Sequence, residues 1–362
     1  MKHLFYSVLI IFVFTACNTG NSSKKSDGQT TKSQEFISIL KARTGQGIML
    51  GHQDALAYGS MWYGDAGRSD VKSVCGDYPA VIGWDLGNIE LGSSLNVDSV
   101  EFKKIKEYIQ ITNDMGGVST ISWTASNPVR EQTEQNPVSL ILTNKHYKDL
   151  YLSYLDQLAT FFINLKDKNN NPIPVIFRPF YNPNTTTHWW STSHCSAEEY
   201  RKLWRLTADY LRKEKNVENL VWTFSLYDPS TLEEIQALYP GDEYVDIIGS
   251  SLYLEQDKDP DGKIYTKELN RSLALITELS NKRHKIAALT DTGMEGIKIP
   301  NYFSGLIYPI VSRYPISYIL FGKNAWNIEN HYHIPIPGHP ASEDFFKFAK
   351  SPRILTCNKL NQ

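Results

Sequence analysis

Along the chain, short and continuously apolar runs alternate with longer stretches in which apolar positions recur every three or four residues. The runs are GIMLG (47–51), AVIGWDLG (80–87), GVSTISW (117–123), PVIFRPF (174–180), NLVWTFS (219–225), VDIIGSS (245–251), KIAALTDTG (285–293) and ISYILFG (316–322). They are rich in Val and Ile and do not alternate with polar residues, as expected of parallel strands covered on both faces. The intervening stretches read as amphipathic helices. VEFKKIKEYIQITNDMG puts Phe102, Ile105, Ile109 and Thr112 near one face and stops at Gly116-Gly117. SAEEYRKLWRLTADYLRKEK opens with Ser196 and Glu199 at capping-box spacing. YKDLYLSYLDQLATFFINLKD, TKELNRSLALITELSNKRH and SEDFFKFAK follow the same period. Strands interleaved with helices in this number predict an α/β fold, a single-domain (β/α)8 TIM barrel over residues 34–358. The runner-up, a doubly wound open sheet, lacks a GxGxxG after an early strand.

In such a barrel, chemistry collects where strands end. The predicted ends carry His52-Gln53-Asp54, Trp84-Asp85 with Glu90, Trp123-Thr124 with Asn127, the stretch from Arg178 to Trp190, Tyr227-Asp228, Ser250, Ser251 and Tyr253, Asp291, and Lys323-Asn324-Trp326. This polar and aromatic set suits a sugar cleft. Each member has a plainer alternative: Asp85 as a helix cap, Arg178 as the partner of an acid below the mouth, Trp84 and Trp123 as rim filling.

Composition narrows the classes. The 362 residues are 41% hydrophobic with a net charge of −2, and no basic stripe points to nucleic acid. Eight Trp and 21 Tyr offer flat apolar faces, suited equally to sugars and to a core. The start, MKHLFYSVLIIFVFTAC, has a basic end, an apolar run too short for a span, and small residues before Cys17. FTAC resembles a bacterial lipobox. Residues 1–16 are therefore expected to be a signal peptide and Cys17 to be lipidated. Residues 17–33 would form a polar tether. The expected location is the bacterial cell envelope, with the membrane met through the lipid anchor only. Cys75, Cys195 and Cys357 allow at most one bridge and show no metal-type spacing.

Several stretches in order, GHQDALAYG, SDVKSVCGDYPAVIGWDLGNIELG, ISWTASNP, IPVIFRPF, EEYRKLWRLTADYLR, YPGDEYVDIIG, ALTDTG and the tail HYHIPIPGHPASEDFFKFAKSP, resemble glycoside hydrolase family 26, whose best-known members are secreted β-mannanases. The resemblance implies a (β/α)8 barrel cleaving β-1,4-mannan-type glycans with retention, through two carboxyl groups about 5–5.5 Å apart. In the family the acid is the Glu of an Arg-Pro-aromatic-His-Glu run on the fourth strand. The nucleophile is the Glu of Thr-Glu-Thr-Gly on the seventh. Here Asn182 stands at the acid/base position and Asp291 at the nucleophile position. Thr124, Thr187, His188 and Gly322-Lys323 also depart from the family pattern. Arg178, Trp84, Asp85, Tyr58, Trp189 and Trp190 keep to it. With Tyr181, Trp123, Tyr253 and Asn324 these are the expected substrate-binding residues.

An amide cannot donate a proton near neutral pH. Losing a general acid removes roughly 10²–10⁴ in rate. A carboxylate withdrawn by one methylene loses about 10²-fold more. Together these amount to ~5.5–8 kcal/mol of barrier if independent. The expectation is a protein of the β-mannanase family, its retaining chemistry lost or strongly reduced, that binds a β-linked oligo- or polysaccharide: a pseudoenzyme. Two alternatives stay open. One is an active β-glycosidase using Asp291 with an acid relocated to Glu90, Glu255 or Asp228; the other is a partner-binding barrel without a sugar ligand. Two histidines in His331-Tyr332-His333 have a spacing that permits a shared metal, but the structural reading prevails, and no metal or cofactor is expected.

Overall fold

The computed structural model describes residues 32–129 and 136–361. Cys17 and the signal segment lie outside the described residues. The first helix, Lys32–Gln46, begins inside the stretch read as the end of the tether.

Every predicted apolar run forms a strand: β1 Ile48–Gln53, β2 Val81–Asp85, β3 Val118–Trp123, β4 Val175–Pro179, β5 Leu220–Tyr227, β6 Ile247–Leu254, β7 Ile286–Met294 and β8 Ile316–Phe321. Neighbours pair in parallel in chain order, and β8 pairs with β1, so the sheet closes into a (β/α)8 barrel. The predicted helix faces also hold. Phe102, Ile105, Ile109 and Thr112 are buried, and Ser196 and Glu199 form a reciprocal capping box.

Residues of opposite parity along each strand serve different layers, because successive side chains point to opposite faces. Met49, Val81, Val118, Ile176, Val221, Ile247, Ile286 and Tyr318 point inward and cluster with Phe36 and Leu40 of the first helix. That helix packs against one end of the barrel interior, and the short strand Ile354–Leu355 pairs with the start of β1 beside it. The residues between them, such as Leu50, Ile82, Ile121, Phe177 and Ile248, join the other core, shared with the helices. The open end is the one at which the strands finish.

Two features re-aim the backbone there. In β7, Leu289 pairs with Ser250 while Asp291 pairs with Ser251, so Thr290 is an inserted bulge residue. Ile286 and Ala288 point inward, and strict alternation would turn Asp291 outward; the extra residue reverses the phase. Beyond the strand ends, Asp54, Phe180, Asn182 and Asp228 have φ of 54°, 47°, 52° and 39°. Left-handed backbone costs a non-glycine residue about 1–2 kcal/mol, least for Asn and Asp.

Candidate active site

A cavity of about 1050 Å³ opens at the mouth, lined by Gln53, Asp85, Ser122, Thr124, Arg178, Tyr181, Tyr253 and Asp291 among others. Most of these side chains follow from strand parity. Gln53 keeps step with Met49, Asp85 with Val81, Ser122 and Thr124 with Val118, Arg178 with Ile176, and Tyr253 with Ile247. Asp291 joins them through the bulge.

Arg178 is 5% exposed. Its Nη2 lies 3.4 Å from Asp291 Oδ2, and its Nη1 donates to the Thr290 carbonyl at 3.2 Å. The plainer reading of Arg178, an ion pair with an acid, thus describes its contact with Asp291. The other Asp291 oxygen accepts a hydrogen bond from the Tyr253 hydroxyl. Burial pushes the Asp291 carboxyl up, while Arg178, Tyr253 and Lys323 pull it back. Burial and the adjacent Asp291 together push the Tyr253 phenol well up.

Across the cavity, both Asp85 oxygens are engaged as acceptors. Oδ1 takes the Gly87 and Thr124 N–H groups at 2.6 and 3.1 Å, and Oδ2 the Ser122 and Thr124 hydroxyls, each at 2.8 Å. The bond to Gly87 closes a turn behind β2 rather than capping a helix. Thr124 Oγ1 is in turn 2.9 Å from the Tyr181 hydroxyl. Tyr181 also lies under the Arg178 guanidinium, at 4.8 Å from ring centroid to Cζ. Thr124 therefore couples the Asp85 side of the cleft to the Arg178–Asp291 side.

Asn182 follows β4 with its N–H bonded to the Ser225 carbonyl at 3.0 Å. Its side-chain oxygen is buried without a hydrogen-bond partner. Three tryptophans expected to face sugar are instead embedded in the wall. Trp84 and Trp123 have the outward parity of Ile82 and Ile121, are fully buried, and pack among the helices; Trp84 stacks on Tyr108 at 5.5 Å. Trp123 Nε1 donates to Glu90. Trp190 is 1% exposed, stacked on His188 at 4.4 Å, with Nε1 donating to the Tyr181 carbonyl. None of the three presents a free face. Trp189 is half-buried and tied to the Ala125 carbonyl at 2.8 Å. Tyr58 is buried and donates to Asp54 at 2.7 Å. Asn324, fully buried, donates to Asp70 and the Ile334 carbonyl and accepts from the His333 and Ile334 N–H groups. These residues brace the mouth from behind.

Two neighbours take contacts that their positions in the sequence did not indicate. Lys323 forms an ion pair with Asp98, joining the loops after β8 and β2 at the cavity edge. Burial opposes the Lys323 charge, yet Asp98, Asp54 and Asp85 together raise its pKa. His333 packs edge-on against Tyr253 at 5.3 Å. A Cβ on Gly293 would lie 2.5 Å from His333 Nδ1, and one on Gly322 would lie 2.7 Å from the Tyr253 hydroxyl. These two glycines create the room that seats the ring behind Tyr253. Among the described residues no cluster of His, Cys, Asp and Glu is arranged to hold a metal, and His331 is 2.7 Å from Glu295 instead.

A polar cleft at the mouth where the strands end is where (β/α)8 barrels hold their functional sites. The sequence matches the profile described as glycosyl hydrolase family 26 over residues 25–334, and the chain belongs to that family. It is 27% identical to the mannan endo-1,4-beta-mannosidase of Bifidobacterium adolescentis over 96% of this chain, and 26% identical to the mannan endo-1,4-beta-mannosidase A and B of Caldalkalibacillus mannanilyticus over 90%. It spans 37% and 63% of the lengths of those relatives. Among solved structures it is similar to a GH26 beta-mannanase from Bacteroides ovatus, with 38% identity, a TM-score of 0.87, and coverage of 92% of this chain and 98% of the other. GH26C from Muricauda sp. superposes at a TM-score of 0.81 with 28% identity, covering 92% and 94%.

Proposed function

We propose that this chain binds a β-1,4-mannan-type oligosaccharide or polysaccharide in the cleft, with its retaining glycosidase chemistry lost or strongly reduced. The mannan preference rests on the names of the relatives. The observation that carries the loss of chemistry is Asn182, an amide where the family resemblance places the proton donor.

The other carboxylates around the mouth are already engaged by partners within the protein. Glu90 accepts from Trp123 Nε1 and the Ser126 N–H at 3.1 and 2.7 Å. Asp228 accepts from Arg271 and Ser272 at 2.6 and 2.8 Å. Glu255 reaches the cavity but is paired with Lys258 at 2.5 Å. Asp85 accepts four hydrogen bonds, so both of its oxygens are taken up within the protein. Asp291, braced by Arg178 and Tyr253, remains a negative group able to accept hydrogen bonds from sugar hydroxyls.

Calorimetric titration of the purified protein with manno-oligosaccharides, alongside a reducing-sugar assay, tests the proposal. Binding without turnover is the expected result. Brisk cleavage by the wild-type protein would falsify it. Partial cleavage restored by Asn182→Glu with Asp291→Glu would confirm that the two positions are where chemistry was lost.

A further inference from the structure

The cavity does not end at an ordinary polar rim. Two exposed aromatic rings, Tyr63 and Trp326, 45% and 38% exposed, are linked by hydrogen bond and by chain to the segments that carry the Lys323–Asp98 ion pair. Their centroids are 5.2 Å apart with planes at 61°. A lone exposed ring is ordinary, but two rings in mutual contact at the surface offer a joint stacking site.

Both rings sit on pinned segments. Tyr63 belongs to a small antiparallel hairpin, pairing with Tyr58, on whose buried ring it also stacks with a 6° interplanar angle. Its hydroxyl donates to the Ser99 carbonyl at 2.7 Å. Ser99 follows Asp98 directly, and Asp98 lines the cavity. Trp326 is carried by the loop after β8, which is clasped by the Ala325 N–H bonding to the His331 carbonyl at 2.7 Å. Lys323 and Glu329, on either side of Trp326 in the chain, also line the cavity. The segments that hold the two rings are therefore tied to residues of the cleft wall before any ligand arrives, so little ordering cost opposes binding.

We propose that Tyr63 and Trp326 form an aromatic platform that receives the sugar units of a β-linked glycan as its chain leaves the cavity past the Lys323–Asp98 ion pair. The inference rests on the glycan-binding reading of the cleft. The chemistry supports this occupant: the apolar faces of pyranose rings stack on aromatic rings, while the Lys323, Asp98 and Glu329 heads beside them suit sugar hydroxyls. An apolar protein partner would have to strip water from the Lys323–Asp98 ion pair and from the Glu329 carboxylate without replacing it.

The test is a chain-length series of β-1,4-manno-oligosaccharides, from disaccharide to hexasaccharide, titrated into the wild-type protein and into Trp326→Ala, Tyr63→Ala and Trp326→Phe. Wild-type affinity is expected to rise with length. Trp326→Ala should weaken the longest ligand roughly tenfold and leave the disaccharide unchanged, as a lost aromatic anchor does. Trp326→Phe, which keeps a stacking face, should retain most of the gain. Alanine variants with undiminished length dependence would overturn the platform while leaving the cleft reading intact. A wild-type protein that binds no member of the series would remove the cleft reading, and the platform with it. A wild-type dimer made monomeric by Trp326→Ala would assign the rings to self-association and likewise overturn the proposal.

Discussion

At the scale of single residues, the cleft is organised around one ionic contact, that between Arg178 and Asp291. The guanidinium is 6% exposed at its side chain and the carboxylate 24%, so neither is well hydrated and each is the main compensation for the other. Removing the cation should therefore hurt more than a surface ion pair would. Arg178→Met keeps the length of the side chain and deletes the charge. It is expected to cost about 2–3 kcal/mol of stability, below the about 3–5 kcal/mol of a fully buried pair because Asp291 keeps some access to water. Urea unfolding measures this, and a loss below about 1 kcal/mol would mean that Asp291 is solvated well enough to stand alone. Much of this site could be read from residue types: Arg178, Asp85 and Tyr253 sit at strand ends and reach the cavity. Trp84 and Trp123 lie in the wall rather than at the sugar because being next to a strand end is not the same as facing inward. Counting by twos from Val81 and Val118 turns both away from the cleft, and that signal was present in the sequence.

Elements were legible for a different reason. Each strand is an uninterrupted apolar run because it is covered on both faces, and each helix carries a buried stripe, so the order of the barrel could be read from pattern alone. What the pattern could not supply is phase within an element. The bulge at Thr290 has no marker in KIAALTDTG, and only the register against Ser250 and Ser251 reveals that Asp291 is turned inward. The ion pair between Lys323 and Asp98 joins loops 225 residues apart, beyond any local rule. Glycine placement is a further such case. Gly293 and Gly322 do not adopt left-handed backbone; they are small because His333 and the Tyr253 hydroxyl occupy the space a side chain would need. Gly293→Ala should thus push His333 against Tyr253 and disturb the hydrogen bond to Asp291. The expected cost is about 1–3 kcal/mol, typical of overpacking, together with weaker oligosaccharide binding. Chemical denaturation and calorimetry on the same preparation check it, and wild-type values in both would show that the His333 ring moves aside freely.

For the whole molecule, the buried titratable groups set how stability responds to acid. Burial lowers His52 and His188 to about 4 and His333 to about 3; Asp70 counteracts this at His52, whereas Arg178 adds to it at His188. A histidine whose folded pKa lies below its unfolded value of about 6.5 binds fewer protons when folded, so its contribution is whole above that pH and drains as the pH falls toward the folded value. Asp54, Asp85 and Asp291 act in the opposite sense. Burial raises all three, so on acidification they take up protons more readily in the folded state and recover stability. The two sets oppose each other across the acidic range, and a wild-type melting curve alone would not separate them. His188 permits the separation because its ring stacks face to face on Trp190, a contact that an uncharged aromatic ring reproduces. His188→Phe should keep the packing and delete one proton-linked loss. The fall in melting temperature between pH 7 and pH 5 is expected to be smaller in the variant than in the wild type, with the two converging above pH 7, where His188 is neutral in both states. Parallel melting curves across that range would mean that His188 is accessible enough to be protonated in the folded protein, and that the loop carrying Trp189 and Trp190 opens to water at the edge of the cleft.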